Sequence, residues 1–186
     1  YIDAESSDLF VVPRYKTAFL NPFSQIPSVD ILCSFFTKDG TPLSSSPENI
    51  LKKAHKLLKE NEEFEMEAMA ELEYYIIFEK QKLYPVEVQK GYEESSPFIK
   101  FEDFRIEAMK AIAEAGGKIK YGHSEVGHII ERDLEMEQHE IEMLPNPIED
   151  AADQIVIAKW ILRKIAYKYG ILLTFAPKIS IGHAGS

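Results

Sequence analysis

The chain has 186 residues, 45% of them hydrophobic, a formal net charge of −10 and one cysteine. That length suits one domain or a large part of one, and the acidic balance argues against nonspecific nucleic-acid binding and against anionic membranes. Cys33 alone excludes an internal disulfide and fits a reducing, cytoplasmic setting, while no apolar run reaches the ~18 residues of a membrane span. The start at Tyr1 and the stop at Gly185-Ser186 read as the ends of a fragment.

Leu9–Val12 and Val29–Phe36 are rich in β-branched and aromatic residues and predict strands. Ser46-Pro47 predicts an N-cap with proline at the first helical position, followed by Ile50, Leu51, Ala54, Leu57 and Leu58 at helical spacing. A strand comes next, with Glu71 and Glu73 on one face and Leu72, Tyr74, Ile76 and Phe78 on the other. Residues 84–97 read as a loop. A helix from about Lys100 to Ala115 should end at Gly116-Gly117 in a left-handed cap. Lys118–Val126 predicts a strand with Ile119, Tyr121, His123 and Glu125 on one face, followed by a polar segment to about Glu135 and a strand carrying Gln138 and Glu140. Asn146-Pro147 opens the longest helix, with Glu149 and Asp150 in its first turn and an apolar stripe of Ile148, Ala152, Ile155, Leu162, Ile165 and Tyr169. Gly170 ends it before a strand over 171–175. Because strands and helices do not alternate strictly, the order predicts an α+β fold, a mainly antiparallel sheet with helices over one face.

The chemistry concentrates in four carboxylates, Glu71, Glu73, Glu125 and Glu140. Taken singly, each reads as part of a wet strand face. Brought together, like charges about 5 Å apart cost roughly 3 kcal/mol per pair at an effective dielectric near 20, so the cluster would be protonated, splayed into water or occupied by divalent cations. Oxygen ligands favour the hard ions Mg²⁺ or Mn²⁺, which commonly handle phosphates. His123, His128 and His139 match no zinc spacing. The glycine loop Phe175–Ser186 lacks the GK[ST] ending of a Walker phosphate loop; its small residues let backbone approach a substrate, and Lys178 offers a positive charge.

In order and spacing these blocks resemble the catalytic domain of glutamine synthetases. The acidic-x-acidic strand is Glu71-Leu-Glu73-Tyr-Tyr, the GY element Gly91-Tyr92, the His-His-Glu-Val-Ala block His123-Ser-Glu-Val-Gly127, and the Gln-His-Glu-Ile block Gln138–Ile141. An acidic helix (Asp150-Ala-Ala-Asp153) and Thr174-Phe-Ala-Pro-Lys-Ile179 follow. The resemblance spans nearly the whole chain and implies ATP-dependent joining of ammonia to glutamate through a γ-glutamyl phosphate, with two Mg²⁺ or Mn²⁺ ions in a funnel between subunits of a cytoplasmic homo-oligomeric ring. Residue by residue it implies Glu73, Glu125 and Glu140 at one metal site, Glu71 at the second, His123 on the phosphate side, and Gly185 in the glutamate-binding loop. It also implies that residues 1–186 are part of a catalytic domain without the N-terminal β-grasp domain and the later metal and arginine residues, and so inactive alone.

Two departures qualify the resemblance. Ala184 stands where the family has an asparagine that contacts the acid substrate, and Glu125 and Glu140 are further apart than usual, implying a longer connector at about residues 128–137. Ala184 motivates a relative that couples an acid to another amine. A non-catalytic family member with a structural or regulatory role, and an acidic α+β interaction module, are the alternatives from other classes.

Overall fold

The computed structural model describes residues 8–185. The chain divides into two compact units, Tyr1–Ala68 with Asn146–Gln154, and Met69–Pro145 with Ile155–Ser186. Among the described residues no helix is long and apolar enough to cross a membrane.

In the first unit, β1 (Leu9–Pro13) pairs antiparallel with β4 (Cys33–Thr37), and β2 (Phe19–Leu20) with β3 (Val29–Asp30). The single strand expected over 29–36 is therefore two, serving different partners. Helix α1 (Pro47–Glu62) starts where Ser46-Pro47 predicted, but the Ser46 side chain makes no capping bond. Instead Glu48 in its first turn accepts from Ser34 and Lys52. Arg14 donates to both oxygens of Asp153 at 2.8 and 2.7 Å, and Lys16 to Asp150 at 2.6 Å.

The second unit holds a four-stranded sheet ordered β6-β7-β5-β8, built from β5 (Glu67–Glu79), β6 (Ile119–Glu131), β7 (Leu134–Pro147) and β8 (Leu172–Thr174). β6 and β7 form an antiparallel hairpin, and β8 is antiparallel to β5. On β5 the expected alternation holds: Leu72, Tyr74, Ile76 and Phe78 are buried, whereas Glu71 is exposed and Glu73 half-buried. Helix α2 (Glu102–Glu114) buries Phe104, Ala108, Ala111 and Ile112. It ends at Gly116 (φ 91°), where Gly117 N–H donates back to the Ile112 carbonyl, a Schellman closure that glycine adopts without a Cβ clash.

Helix α3 (Ile148–Tyr169) carries its buried stripe on Ala158, Ile161, Leu162, Ile165 and Ala166. Leu162 and Ile165 belong to the expected stripe, whose Ile148, Ala152 and Ile155 are half-buried, whereas Tyr169 is 40% exposed, its hydroxyl donating to Glu107. Phe104 of α2 lies 6.1 Å from Tyr74 and 5.6 Å from Tyr169, centroid to centroid. Helices thus cover the Tyr74 face of this sheet and leave the Glu73 face to the acids, as an α+β antiparallel fold requires.

The polar connector expected between Glu125 and Glu140 is a continuation of the hairpin. Glu131 pairs with Leu134, Ile130 with Glu135, Ile129 with Met136 and His128 with Glu137, around a two-residue turn whose Arg132 has φ 55°, the positive value primed hairpin turns demand. Ile129 and Met136 pack with Tyr75 in a small core cluster. This strand pair was missed in the sequence, where it reads as a polar segment, because the polar residues between Ile129 and Met136 break the alternation.

Candidate functional site

β7 is an interior strand of its sheet, and that position explains an unusual set of buried charges. Glu135, Glu137, Gln138, His139, Glu140 and Glu142 are all buried. Alternation sends them two ways. Glu137 accepts from the backbone N–H of Lys100 and Phe101 at 2.9 and 2.7 Å, just ahead of α2, and from His139 Nε2 at 2.8 Å. Arg105 meets His139 Nδ1 at 2.7 Å, and Tyr74 stacks on that imidazole at 5.7 Å. Burial pushes the His139 pKa down, against the pull of Glu137, so this part of the strand is a satisfied structural network.

The other set faces the carboxylates. Glu140 is 6% exposed, and its Oε1 has no hydrogen-bond partner. Its pKa is pushed up to about 7, first by burial and then by the charges of Glu73, Glu125 and Glu71, with His123 opposing. His123 Nε2 lies 3.5 Å from Glu140 Oε2, and His123 Nδ1 3.7 Å from Glu125 Oε1. Nδ1 also sits 2.9 Å from the Ser124 carbonyl; a carbonyl only accepts, so Nδ1 carries a proton. The Glu125 carboxylate is oriented by the Val126 N–H at 2.9 Å.

Among the described residues, two groups each bring their donor atoms within 4.8 Å of one another: His123, Glu125 and Glu140, and Glu71, Glu140 and Glu142. Glu140 belongs to both. All four expected carboxylates converge on this region, but Glu73 enters neither group; one of its oxygens accepts from Gln138 Nε2, and its charge is felt by Glu140 and Tyr75. Glu142 is the residue sequence reasoning missed. Two residues after Glu140 on the same face, it was within reach of the alternation rule. It accepts from Lys120 Nζ at 2.7 Å and from the Tyr121 hydroxyl, and these bonds hold its pKa down.

On β6 the expected face holds for Tyr121, His123 and Glu125, and register irregularities alter the strand on either side. The pairing slips between Ile119 and Tyr121 and again between Ser124 and His128, and each bulge re-aims the side chains beyond it. His123 reaches the carboxylates; His128 instead sits fully buried with Nε2 3.0 Å from Glu135 but out of hydrogen-bond alignment. The expected loop at 84–97 runs along β6: the N–H groups of Gln89, Gly91 and Glu93 donate to the carbonyls of His128, Val126 and Ser124. A Cβ on Gly91 would stand 2.6 Å from the Glu125 carbonyl oxygen, so only glycine fits this approach.

The chain's last described stretch also returns to the sheet. The Tyr75 hydroxyl donates to the Ala184 carbonyl at 2.8 Å, and Ala184 N–H donates to Gln89 Oε1. A Cβ on Gly185 would meet the Pro177 carbonyl at 1.9 Å. Lys178 is exposed, its Nζ 3.3 Å from the His183 carbonyl oxygen.

Chemically, an oxygen-dominated set with one imidazole suits a hard or borderline divalent cation. The residues present fit such an ion: a buried carboxylate oxygen without a donor, and an imidazole nitrogen facing a carboxylate, are arrangements that a cation would satisfy.

Comparison with known proteins agrees with this arrangement. The family described as glutamine synthetase, catalytic domain, matches residues 44–186. The glutamine synthetase of Methanococcus voltae is 26% identical over 188 residues, covering 100% of this chain and 40% of that protein. That of Thermus thermophilus is 27% identical over 190 residues, covering 98% and 41%. The chain thus spans about 40% of the length of these curated relatives. Among solved structures, Plasmodium falciparum glutamine synthetase superposes with a TM-score of 0.83 at 20% identity, over 98% of this chain and 40% of that one. An apo GmaS structure gives 0.80 at 14% identity, over 99% and 42%. These structural likenesses carry the fold.

Proposed function

The chain belongs to the glutamine synthetase catalytic-domain family, and from that premise we propose that it is the carboxylate-bearing part of an ATP-dependent ligase that joins ammonia to glutamate. The observation that carries this reading is Glu140, a buried carboxylate with an orphaned oxygen, set among Glu71, His123, Glu125 and Glu142. Glu71, Glu73, Glu125 and Glu140 would hold Mg²⁺ or Mn²⁺ at two places, with Glu142 beside them. A divalent ion bound there supplies Lewis-acid stabilisation of the negative charge that develops during phosphoryl transfer.

The chain's own residues do the rest. His123 faces the phosphate side with its Nδ1 proton fixed on the Ser124 carbonyl. Gln138 orients Glu73, and the Val126 N–H orients Glu125. Gly185 presents backbone, with no side chain, to the acid substrate. The active assembly would be a cytoplasmic homo-oligomeric ring of a longer protein, this stretch being inactive alone.

The test is ATP consumption by the longer protein supplied with Mg²⁺, glutamate and ammonia. Consumption should require both acid and amine, and Glu73→Ala should cut the rate by orders of magnitude, because a positioned cation acts mainly on the transition state. ATP consumption indifferent to acid and amine would contradict the proposal. Ala184, at the position where the resemblance has asparagine, favours a second reading in which another amine or acid is used; activity with an alkyl or aryl amine and none with ammonia would select it.

A further inference from the structure

The loop that ends at Gly185 is tied to the sheet through one residue. Both peptide groups of Ala184 are engaged: its carbonyl accepts from the Tyr75 hydroxyl at 2.8 Å, and its N–H donates to Gln89 Oε1. We propose that Tyr75 and Gln89 are positioning residues that clamp Ala184 and thereby aim the Gly185 N–H at the acid substrate. This inference rests on the ligase reading above.

Each half of the clamp is itself held. Tyr75 is 1% exposed, packed with Ile129 and Met136, and Ile179 of the loop packs against the same cluster. A Cβ on Gly127 would stand 2.0 Å from the Tyr75 hydroxyl oxygen, so a glycine is needed for the phenol to lie where it does. Gly127 N–H donates to Gln138 Oε1 at 3.0 Å, and Gln138 Nε2 donates to Glu73. The phenol therefore stands beside a glutamine that also orients a carboxylate of the cation cluster. Gln89 has φ 60°, and both its backbone N–H and its Nε2 donate to the His128 carbonyl, at 3.0 and 3.2 Å. With its amide nitrogen so occupied, its oxygen is left for Ala184.

The geometry has a consequence for binding. The 184–185 peptide is planar and trans, so fixing the Ala184 carbonyl fixes the Gly185 N–H in the opposite direction. Gly185 has no side chain and cannot be exchanged, given the Pro177 carbonyl 1.9 Å from any Cβ; its contribution to an anionic acid is that N–H.

The experiment is steady-state kinetics on the longer protein with Tyr75→Phe, Gln89→Ala and Gln89→Glu. Tyr75→Phe keeps the ring and removes only the donor, while Gln89→Glu keeps an acceptor for Ala184. The first two should each raise KM for the acid about three- to tenfold, the worth of one hydrogen bond, with KM for ATP and the Mn²⁺ requirement within twofold of wild type. Gln89→Glu, which keeps the acceptor but loses the Nε2 donor to the His128 carbonyl, should raise the acid KM less than Gln89→Ala. Trypsin cleavage after the exposed Lys178 should quicken in Tyr75→Phe and Gln89→Ala. An unchanged acid KM, equal rises for acid and ATP, or unchanged cleavage would overturn the clamp. Absence of acid-dependent ATP consumption in the wild type would instead overturn the ligase reading itself.

Discussion

His123 Nε2 and Glu140 Oε2 face one another at 3.5 Å, while the other nitrogen of the same ring is 2.9 Å from the Ser124 carbonyl. With the Nδ1 proton committed to that carbonyl, Nε2 is the ring nitrogen turned toward the carboxylate. A proton or a divalent cation between that nitrogen and the carboxylate would satisfy both, which supports the cation site proposed above.

Glu140 should show the cost of the arrangement. Its folded-state pKa, about 7, lies above the ordinary carboxylate value of 4.5, so the native state holds its proton more tightly than the unfolded chain. Its penalty is absent below the unfolded pKa, grows as pH rises through 4.5 to 7, and is complete above that. Metal-free protein should therefore lose stability across this window, and Glu140→Gln should flatten the loss and raise the melting temperature at pH 8. Denaturant titrations at pH 5 and pH 8 check this; an unchanged pH dependence in the variant would show that Glu140 is not the group responsible.

Gly127 should tolerate no side chain. A Cβ there would lie 2.0 Å from the Tyr75 hydroxyl oxygen and 2.4 Å from Gln138 Oε1, and overpacking of this kind typically costs about 1–3 kcal/mol. Urea unfolding of Gly127→Ala should show a loss in that range, partly relieved in the double variant with Tyr75→Phe. Equal losses in the two backgrounds would mean that the phenol oxygen is not the obstacle.

How far the sequence could be read follows from these same residues. The Glu71/Glu73 face was legible because β5 alternates cleanly, and helices α1 and α2 were legible because Pro47 and Gly116 mark an end of each. The first half of β6 was legible too, with Tyr121, His123 and Glu125 together as expected, but its continuation to Glu131 beyond the second bulge was not. Glu142 and Glu137 went unread in the sequence because nothing local says that β7 is an interior strand. Convergence of Glu71 with Glu140 and Glu142, 69 and 71 positions later, is a tertiary fact that only the motif resemblance anticipated in part.

Glu137 supplies a stability prediction independent of function. It is fully buried and accepts from two backbone N–H groups and from His139, which in turn meets Arg105. Glu137→Ala leaves these donors unsatisfied, and breaking a buried charged network costs about 3–5 kcal/mol. Glu131→Ala, at the exposed end of the same hairpin, should cost under about 0.5 kcal/mol. Chemical denaturation compares them directly; a Glu137→Ala loss as small as that of Glu131→Ala would contradict the network.

The most direct test of the central claim is the melting temperature of this chain as Mn²⁺ is added to millimolar concentration. Binding at 100 times the dissociation constant stabilises by about 2.7 kcal/mol, which for a domain of this size is a rise of roughly 5–10 °C. The account predicts that rise for the wild type and for Glu131→Ala, and its loss in Glu140→Gln and in Glu73→Ala. Equal rises in the wild type and in Glu140→Gln, or none in the wild type, would contradict the assignment of these carboxylates to a cation site.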